Sequence, residues 1–422
     1  MLNAYDWLIR GGRVIDPANH VDEVRDVAVR GETIAAVTPG IDPASSVQVY
    51  DATGQLVIPG LVDLHVHVYD QVTPVGISPD HYCLGRGVTT AVDAGSAGAC
   101  TLAGFQRFII PNSRTRLLAF LNISTAGLAF AGLGGDSAAA GELETMKLVS
   151  IRACVECAEV NRDTIVGIKV RLSDSIADNG KNEAEAFRHA MEAARLAGLP
   201  LMTHHAFSTV PLDLCPLAMQ PGDIYTHMYH GFASTIINPK SRRVDRAVLK
   251  AREKGVLFDI GHGQGSFSWT VAELASRSGF WPDTISTDLH SGTCEGPAYD
   301  LPTVMSRLLS LGMPLTEVIR SATLAPAAAI AWGNRIGTLG VGREADIAVL
   351  SLDEVAMELE DSQSQMRSIH QLLTPRAVWR AGVRGEITRP RQFPNAAMIA
   401  SQRVWLSRLA ISDGNGSASA PD

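Results

Sequence analysis

Residues 60–70 read GLVDLHVHVYD, a run of valine and leucine broken by two histidines one residue apart. The apolar residues, bounded by Gly60, predict a short buried strand. Side chains at i and i+2 on a strand share a face, so His65 and His67 point the same way. A buried strand has little use for two imidazoles on one face unless they hold something. Neutral imidazoles suit zinc and other first-row divalent ions, so the pair predicts a metal site. Asp63, on that same face, could orient a ligand from behind.

Working outward, the same texture repeats. After LVIPGLVDLHVHV (56–68) come GVTTAVDAGS (87–96), RLLAFLNIST (116–125), IVGIKVRL (165–172), LPLMTHHA (199–206), DIYTHMYHG (223–231), GVLFDIGHG (255–263) and DTISTDLH (283–290). Helical patterns separate them, among them NEAEAFRHAMEAARLAG (182–198), VDRAVLKAREKG (244–255) and TVAELASRSG (270–279). Strands alternating with helices call for a parallel sheet. Eight such units without a dinucleotide-binding glycine fingerprint or a P-loop predict an α/β fold, a closed (β/α)8 TIM-like barrel.

Both ends of the chain read differently. DWLIRGGRVID (6–16), VRDVAVRGETIAAV (24–37) and SVQVYDATGQLVIPG (46–60) are short strands with glycine-containing turns. GTLGVGREADIAVLSL (337–352) and PRAVWRAGVRGEI (375–387) return to that pattern. The expected organisation is a small β-sandwich built from residues 1–57 and 336–391, around a metal-dependent hydrolase barrel at 58–335. A C-terminal extension and tail, 392–422, follows, its polar end ISDGNGSASAPD expected to fray. GLGGD (132–136) is a flexible-loop signal.

The 422 residues are 46% hydrophobic and 19% charged, with 38 glycines, a composition suited to a compact, loop-rich enzyme. A net charge of −8 and the lack of a Lys/Arg stripe argue against nucleic acid or an anionic membrane as partner. No basic-then-apolar leader opens the chain and no run is long enough to cross a bilayer. Six cysteines make no disulfide framework, and the lone CxxC of ACVECAEV (153–160) reads as helix packing. A cytoplasmic protein is expected.

In a barrel the strand C-termini line the active site. Those ends carry His65 and His67, then Lys169, His204-His205, His227, His262 and Asp288. Lys169 stands out, because an ammonium is repelled by divalent cations and burial depresses its pKa. As a carbamate formed with CO2 it becomes an anionic ligand able to bridge two metals. Together with Asp288 it leaves the site with residual positive charge, which favours an anionic substrate.

The order HxH, Lys, His, His, Asp on a barrel flanked by a split sandwich resembles the amidohydrolase superfamily. VIPGLVDLHVHVY, GVTTAVDAGSAG, IVGIKVR, DIYTHMYHG, FDIGHGQGSFSW, DTISTDLH and GTLGVGREADIAVL are similar to its amidohydrolase/deacetylase, dihydroorotase-like branch. The resemblance spans about Tyr5 to Ile387. It implies two divalent metal ions, zinc by default, bridged by carbamylated Lys169. The more buried ion would take His65, His67, Lys169 and Asp288, the other Lys169, His204 and His227. His204 rather than His205 matches the family's strand-five position, and His230 falls in a loop or at the rim. LSDSIADNGKNEAEAF (172–187) departs from close relatives, so pocket specificity is not carried over.

The reaction so implied is metal-assisted hydrolysis with Asp288 as base, then acid. Arg171 could meet a substrate carboxylate or pair with a structural acid. His262 and His290 could contact substrate or hydrogen-bond ligands, and Tyr69 could donate to the scissile carbonyl or simply pack at the rim. Dihydroorotases generally carry an arginine two positions after the second histidine, where this chain has Tyr69. The preferred substrate is therefore an N-acyl or O-acyl derivative of a small carboxylate, such as an acetylated amino acid or α-hydroxy acid. A cyclic amide or ureide, as for a hydantoinase, is the alternative, and a non-catalytic scaffold a remote one. Homo-oligomerisation is plausible by analogy.

Overall fold

The computed structural model describes residues 4–131, 141–395 and 409–411. The GLGGD stretch and the tail beyond Ile411 lie outside the described residues.

Five strands open the chain: β1 (Tyr5–Asp16), β2 (Val21–Arg30), β3 (Thr33–Thr38), β4 (Ser46–Asp51) and β5 (Leu56–Pro59). A second series follows, β6 (Leu61–Val66), β7 (Val88–Gly98), β8 (Arg116–Asn122), β9 (Ile165–Leu172), β10 (Leu201–His205) and β11 (Ile224–Thr226). After a two-residue pair, β12 (Ile237–Asn238) and β13 (Arg243–Val244), comes β14 (Leu257–Phe258). The last of the described strands are β15 (Ile347–Glu360), β16 (Met366–Arg380) and β17 (Val383–Gly385).

Strands from the two ends join in one eight-stranded sheet, ordered β17-β16-β15-β5-β1-β2-β3 with β4 also on β1. It carries its own core, including Ile9, Val14, Val29, Val57, Ile347, Val349 and Trp379. The middle strands form a separate seven-stranded sheet, β14-β11-β10-β9-β8-β7-β6, all parallel. Segment 284–289 then makes a parallel bridge to each edge of that sheet, Asp259 with Thr284 and Val66 with Leu289.

LVIPGLVDLHVHV is thus not one strand. The chain changes sheets at Gly60: β5 pairs with β1 and β15, whereas β6 pairs with β7. A Cβ at Gly60 would lie 2.2 Å from Thr89 Oγ1, so the crossing needs glycine. Arg116, at the start of β8, ties the two sheets together through ion pairs with Glu344 and Asp346.

The helices follow from their sequences. After the short α1 (Pro79–Tyr82) and α2 (Leu102–Gly104) comes α3 (Ile151–Val160), which carries the CxxC with Cys154 buried. In α4 (Glu183–Ala197), Ala186, Ala190, Ala193 and Ala197 form one buried stripe, and Gly198 closes the helix at φ 61°. Asp245 caps α5 (Arg246–Lys254) and Gly255 ends it. Next come α6 (Trp269–Arg277), α7 (Leu301–Ser310), α8 (Leu315–Ala322) and α9 (Leu324–Ala329). None of the described helices is long and apolar enough to cross a membrane.

Ladder pairing fades late in the parallel sheet for a local reason. His227 and Asp288 have φ values of 69° and 50°, and Gly261 one of 48°. Left-handed backbone cannot continue a strand, so these ends turn out of the ladder where the side chains gather.

Candidate metal centre

At the C-terminal ends of the parallel strands lies a cavity of about 350 Å³. His65, His67, Arg171, Ser173, His204, Gln264, Ser266, Asp288 and His290 contribute to its wall. The Nε2 atoms of His65 and His67 lie 3.3 and 3.1 Å from Asp288 Oδ1. Among the described residues, these three form a group whose ligand atoms all fall within 4.8 Å of one another. Lys169 is wholly buried, with Nζ 3.4 Å from His65 Nε2. The His227 ring packs 4.9 Å from that of His65 and 4.2 Å from that of His204.

Hydrogen bonds fix two of the imidazole tautomers. His227 Nδ1 donates to the Gly261 carbonyl at 2.6 Å, so Nε2 presents a lone pair, buried and without a hydrogen-bond partner. Thr226 Oγ1 donates to Asp259 Oδ2 at 2.7 Å and therefore accepts from His65 Nδ1 at 3.0 Å. That again leaves the His65 lone pair on Nε2. His67 Nδ1 lies 2.9 Å from Ser96 Oγ. The His65 Nε2 lone pair facing the Asp288 carboxylate, with the orphaned Nε2 of the adjacent His227 ring, is a donor set that fits a divalent cation.

The electrostatics agree with this fit. Burial pushes His65 and His204 well below the usual imidazole range and brings His227 to about 4, so all three are neutral. Burial likewise lowers the Lys169 ammonium to about 7, although Asp288 and Asp259 pull the other way. For Asp288, burial works upward, but the His67 hydrogen bond and the nearby His227 hold the carboxyl below its ordinary range.

Glycines make room for the group. A Cβ at Gly95 would come within 2.7 Å of Lys169 Cγ, and one at Gly263 within 2.5 Å of Asp288 Oδ2. Either replacement would displace the side chain it meets.

Of the remaining residues near the expected site, some line the cavity and some do not. His205 turns away from the cavity, its nitrogens bonded to Tyr225 Oη and the Val210 carbonyl. Tyr69 lies outside the cavity wall: β6 ends at Val66, the alternation lapses, and its hydroxyl donates to the Thr101 carbonyl at 2.7 Å. His262 is also outside the wall, because the backbone turns at Gly261 and Gly263 stack its ring on Phe267 at 4.7 Å. His230 is fully buried rather than at a rim, its Nδ1 accepting from the Phe232 amide. His290 does line the cavity; burial brings it to about 4, and its Nδ1 accepts from the Gly292 amide. Arg171 lines it too, with Nε and Nη2 held by Glu142 at 2.5 and 2.7 Å. Asp63 orients backbone rather than a ring, accepting from the amides of His65 and Thr287.

Thr226, Asp259, Ser96 and Glu142 escaped the sequence reading. Asp259 left a signal, an acid inside the apolar strand GVLFDIGHG. Glu142 left none, since nothing in its neighbourhood names Arg171 as partner.

The sequence model of the amidohydrolase family matches residues 56–384. A protein of Brucella anthropi named deacetylase is 35% identical over 384 residues, 90% of this chain and 92% of its own. A deacetylase of Agrobacterium fabrum is 36% identical over 352 residues, 83% of this chain and 84% of its own. A solved structure described as a dihydroorotase superposes with a TM-score of 0.81 at 32% identity, covering 91% of this chain and all of that one. One described as an adenine deaminase reaches the same TM-score at 29% identity, covering 90% of this chain and all of that one.

Proposed function

The chain belongs to the amidohydrolase family, hydrolases of carbon–nitrogen bonds that use divalent metal, and from that membership we propose that it is a binuclear deacetylase. Its substrate is an N-acyl or O-acyl derivative of a small carboxylate, and its architecture a closed (β/α)8 barrel. The observation that carries the reading is the convergence of His65 and His67 Nε2 on Asp288 Oδ1 beside the orphaned Nε2 of His227. His65, His67, Lys169 and Asp288 would hold one ion, and Lys169, as a carbamate, His204 and His227 the other. Bound zinc, or another first-row divalent ion, supplies Lewis acidity to the scissile carbonyl and lowers the pKa of water.

The chain's own groups do the rest. Asp288 takes the proton of the attacking water and returns it to the leaving nitrogen or oxygen as the acyl bond breaks, so one water is consumed. Arg171 is paired with Glu142 through Nε and Nη2, as the structural-acid alternative expects, so a substrate carboxylate would meet only the donors that this pair leaves over. The cavity, at about 350 Å³, suits a small molecule.

The deacetylase names of relatives at 35% and 36% identity support the acyl reading. The superposition on a structure described as a dihydroorotase favours a second one, hydrolysis of a cyclic amide or ureide. Screening both enantiomers of N-acetyl amino acids, O-acetyl hydroxy acids and cyclic ureides separates them. Turnover of the acyl carboxylates is expected; turnover of the ureides alone would overturn the substrate assignment. Stoichiometric metal with no turnover of any member would favour a scaffold.

The Asp259–Thr226–His65 chain gives a further expectation. Thr226→Val removes the acceptor of His65 Nδ1 and frees the ring to change tautomer. Metal affinity, read by chelator competition, should fall about 10- to 100-fold. Unchanged affinity would show that the hydroxyl does not set the ligand.

A further inference from the structure

The tip of the β15–β16 hairpin lies far from its own sheet. Only Ile347–Leu350 of β15 pairs with β5, yet the hairpin continues to Glu360 and Met366. Hairpin tips are usually solvated, but Asp361, Ser362 and Gln363 are buried to within 1% exposure. They are buried against residues 262–270, a segment about a hundred positions away in sequence.

The contacts are specific. Asp361 Oδ1 shapes the tip by accepting from the amides of Gln363 and Gln365, while Oδ2 accepts from the Trp269 amide at 3.0 Å. Ser362 donates through its amide to the Phe267 carbonyl at 3.0 Å and through Oγ to the Gly263 carbonyl at 2.9 Å. Gln363 Nε2 donates to the Gly265 carbonyl at 3.4 Å. Trp269 Nε1 donates back to the Leu359 carbonyl, and Thr270 Oγ1 to Gln365 Oε1.

The segment so held is the wall facing Asp288. Gln264, Gly265 and Ser266 line the cavity, and Gly263 sits so close to Asp288 that a Cβ there would come within 2.5 Å of Oδ2. Resting on the reading of this cavity as the active site, we infer that the hairpin tip, through Ser362 and Gln363, sets the position of the 263–266 wall and thereby substrate size selectivity. Neither residue lines the cavity, so both are positioning residues. The strand-rich sheet acts on selectivity across the boundary between the two sheets, and carbonyl-directed donors do so without constraining which side chains the wall presents.

Ser362→Ala and Gln363→Ala in the metal-loaded full-length protein test this. The ratio of kcat/KM between the smallest and bulkiest acyl groups accepted should shift by about tenfold, the low end of what one methylene commands in a pocket. Metal content should stay at the wild-type level, and Ser362→Thr, which keeps the hydroxyl, should restore the ratio. A merely structural tip would lower turnover of every member alike and leave the ratio unchanged, which would overturn the inference. If wild type hydrolyses only ureides, the proposed substrate class fails, and the tip is scored on a ureide series graded by size. Should a variant fold poorly, hydrogen exchange in wild type decides. Amides of 263–268 exchanging with the tip support the inference; exchange independent of it contradicts it.

Discussion

Lys169→Ala is expected to leave less than about a thousandth of wild-type kcat/KM, since several kcal/mol of metal-derived stabilisation vanish at about 1.4 kcal/mol per decade. The reasoning starts from burial. Lys169 is wholly enclosed beside His65 Nε2, and loss of hydration brings its ammonium from 10.5 down to about 7. A lysine with a depressed pKa is increasingly the free amine as pH rises through that value. The amine adds to CO2, forming the N–C bond of a carbamate and releasing one proton. Uptake of CO2 by metal-free protein should therefore climb around pH 7, where an ordinary lysine would still be protonated. Linkage gives the same sign: between about 7 and 10.5 the unfolded chain holds a proton that the folded one lacks. Metal-free, unmodified wild type therefore gains stability relative to Lys169→Ala as pH rises through that window. On the proposed ligand set the alanine variant should lose metal, and short carboxylic acids entering the vacated space should restore part of both metal and activity. Full metal occupancy in the variant would contradict the bridging role.

Asp288→Asn should lower kcat by about 10²- to 10⁴-fold, the range that a positioned general base contributes. Asparagine keeps the shape but cannot accept the proton from water. Burial works against ionisation, but the His67 hydrogen bond holds the wild-type carboxyl below its ordinary range, so it is ionised at neutral pH. Asp288 also faces both imidazoles of the HxH pair, so some metal will be lost; kcat is best compared at saturating metal, with occupancy measured in parallel. A variant retaining more than a tenth of wild-type kcat would remove Asp288 from the proton path.

Much of this was readable from the residues. The i and i+2 spacing of His65 and His67 placed both imidazoles on one face, and that face meets Asp288. The helices were legible where an apolar stripe coincided with a cap, as in α4 with Gly198. Three kinds of feature were not. The change of sheets at Gly60 hides inside one continuous apolar run, because local pattern does not say which sheet a strand joins. Tyr69 kept the spacing of the HxH pair but lost its face once the strand ended at Val66. His262 was turned aside by positive φ at the glycines on either side of it, where strand alternation no longer applies. The Glu142–Arg171 pair and the hairpin tip depend on contacts between distant segments, which no short window of sequence contains.

Carbon-13 NMR on metal-loaded protein equilibrated with labelled bicarbonate tests the central claim most directly. The account predicts one carbamate resonance per chain in wild type and none in Lys169→Ala. A fully active, metal-replete wild type without that resonance would contradict it.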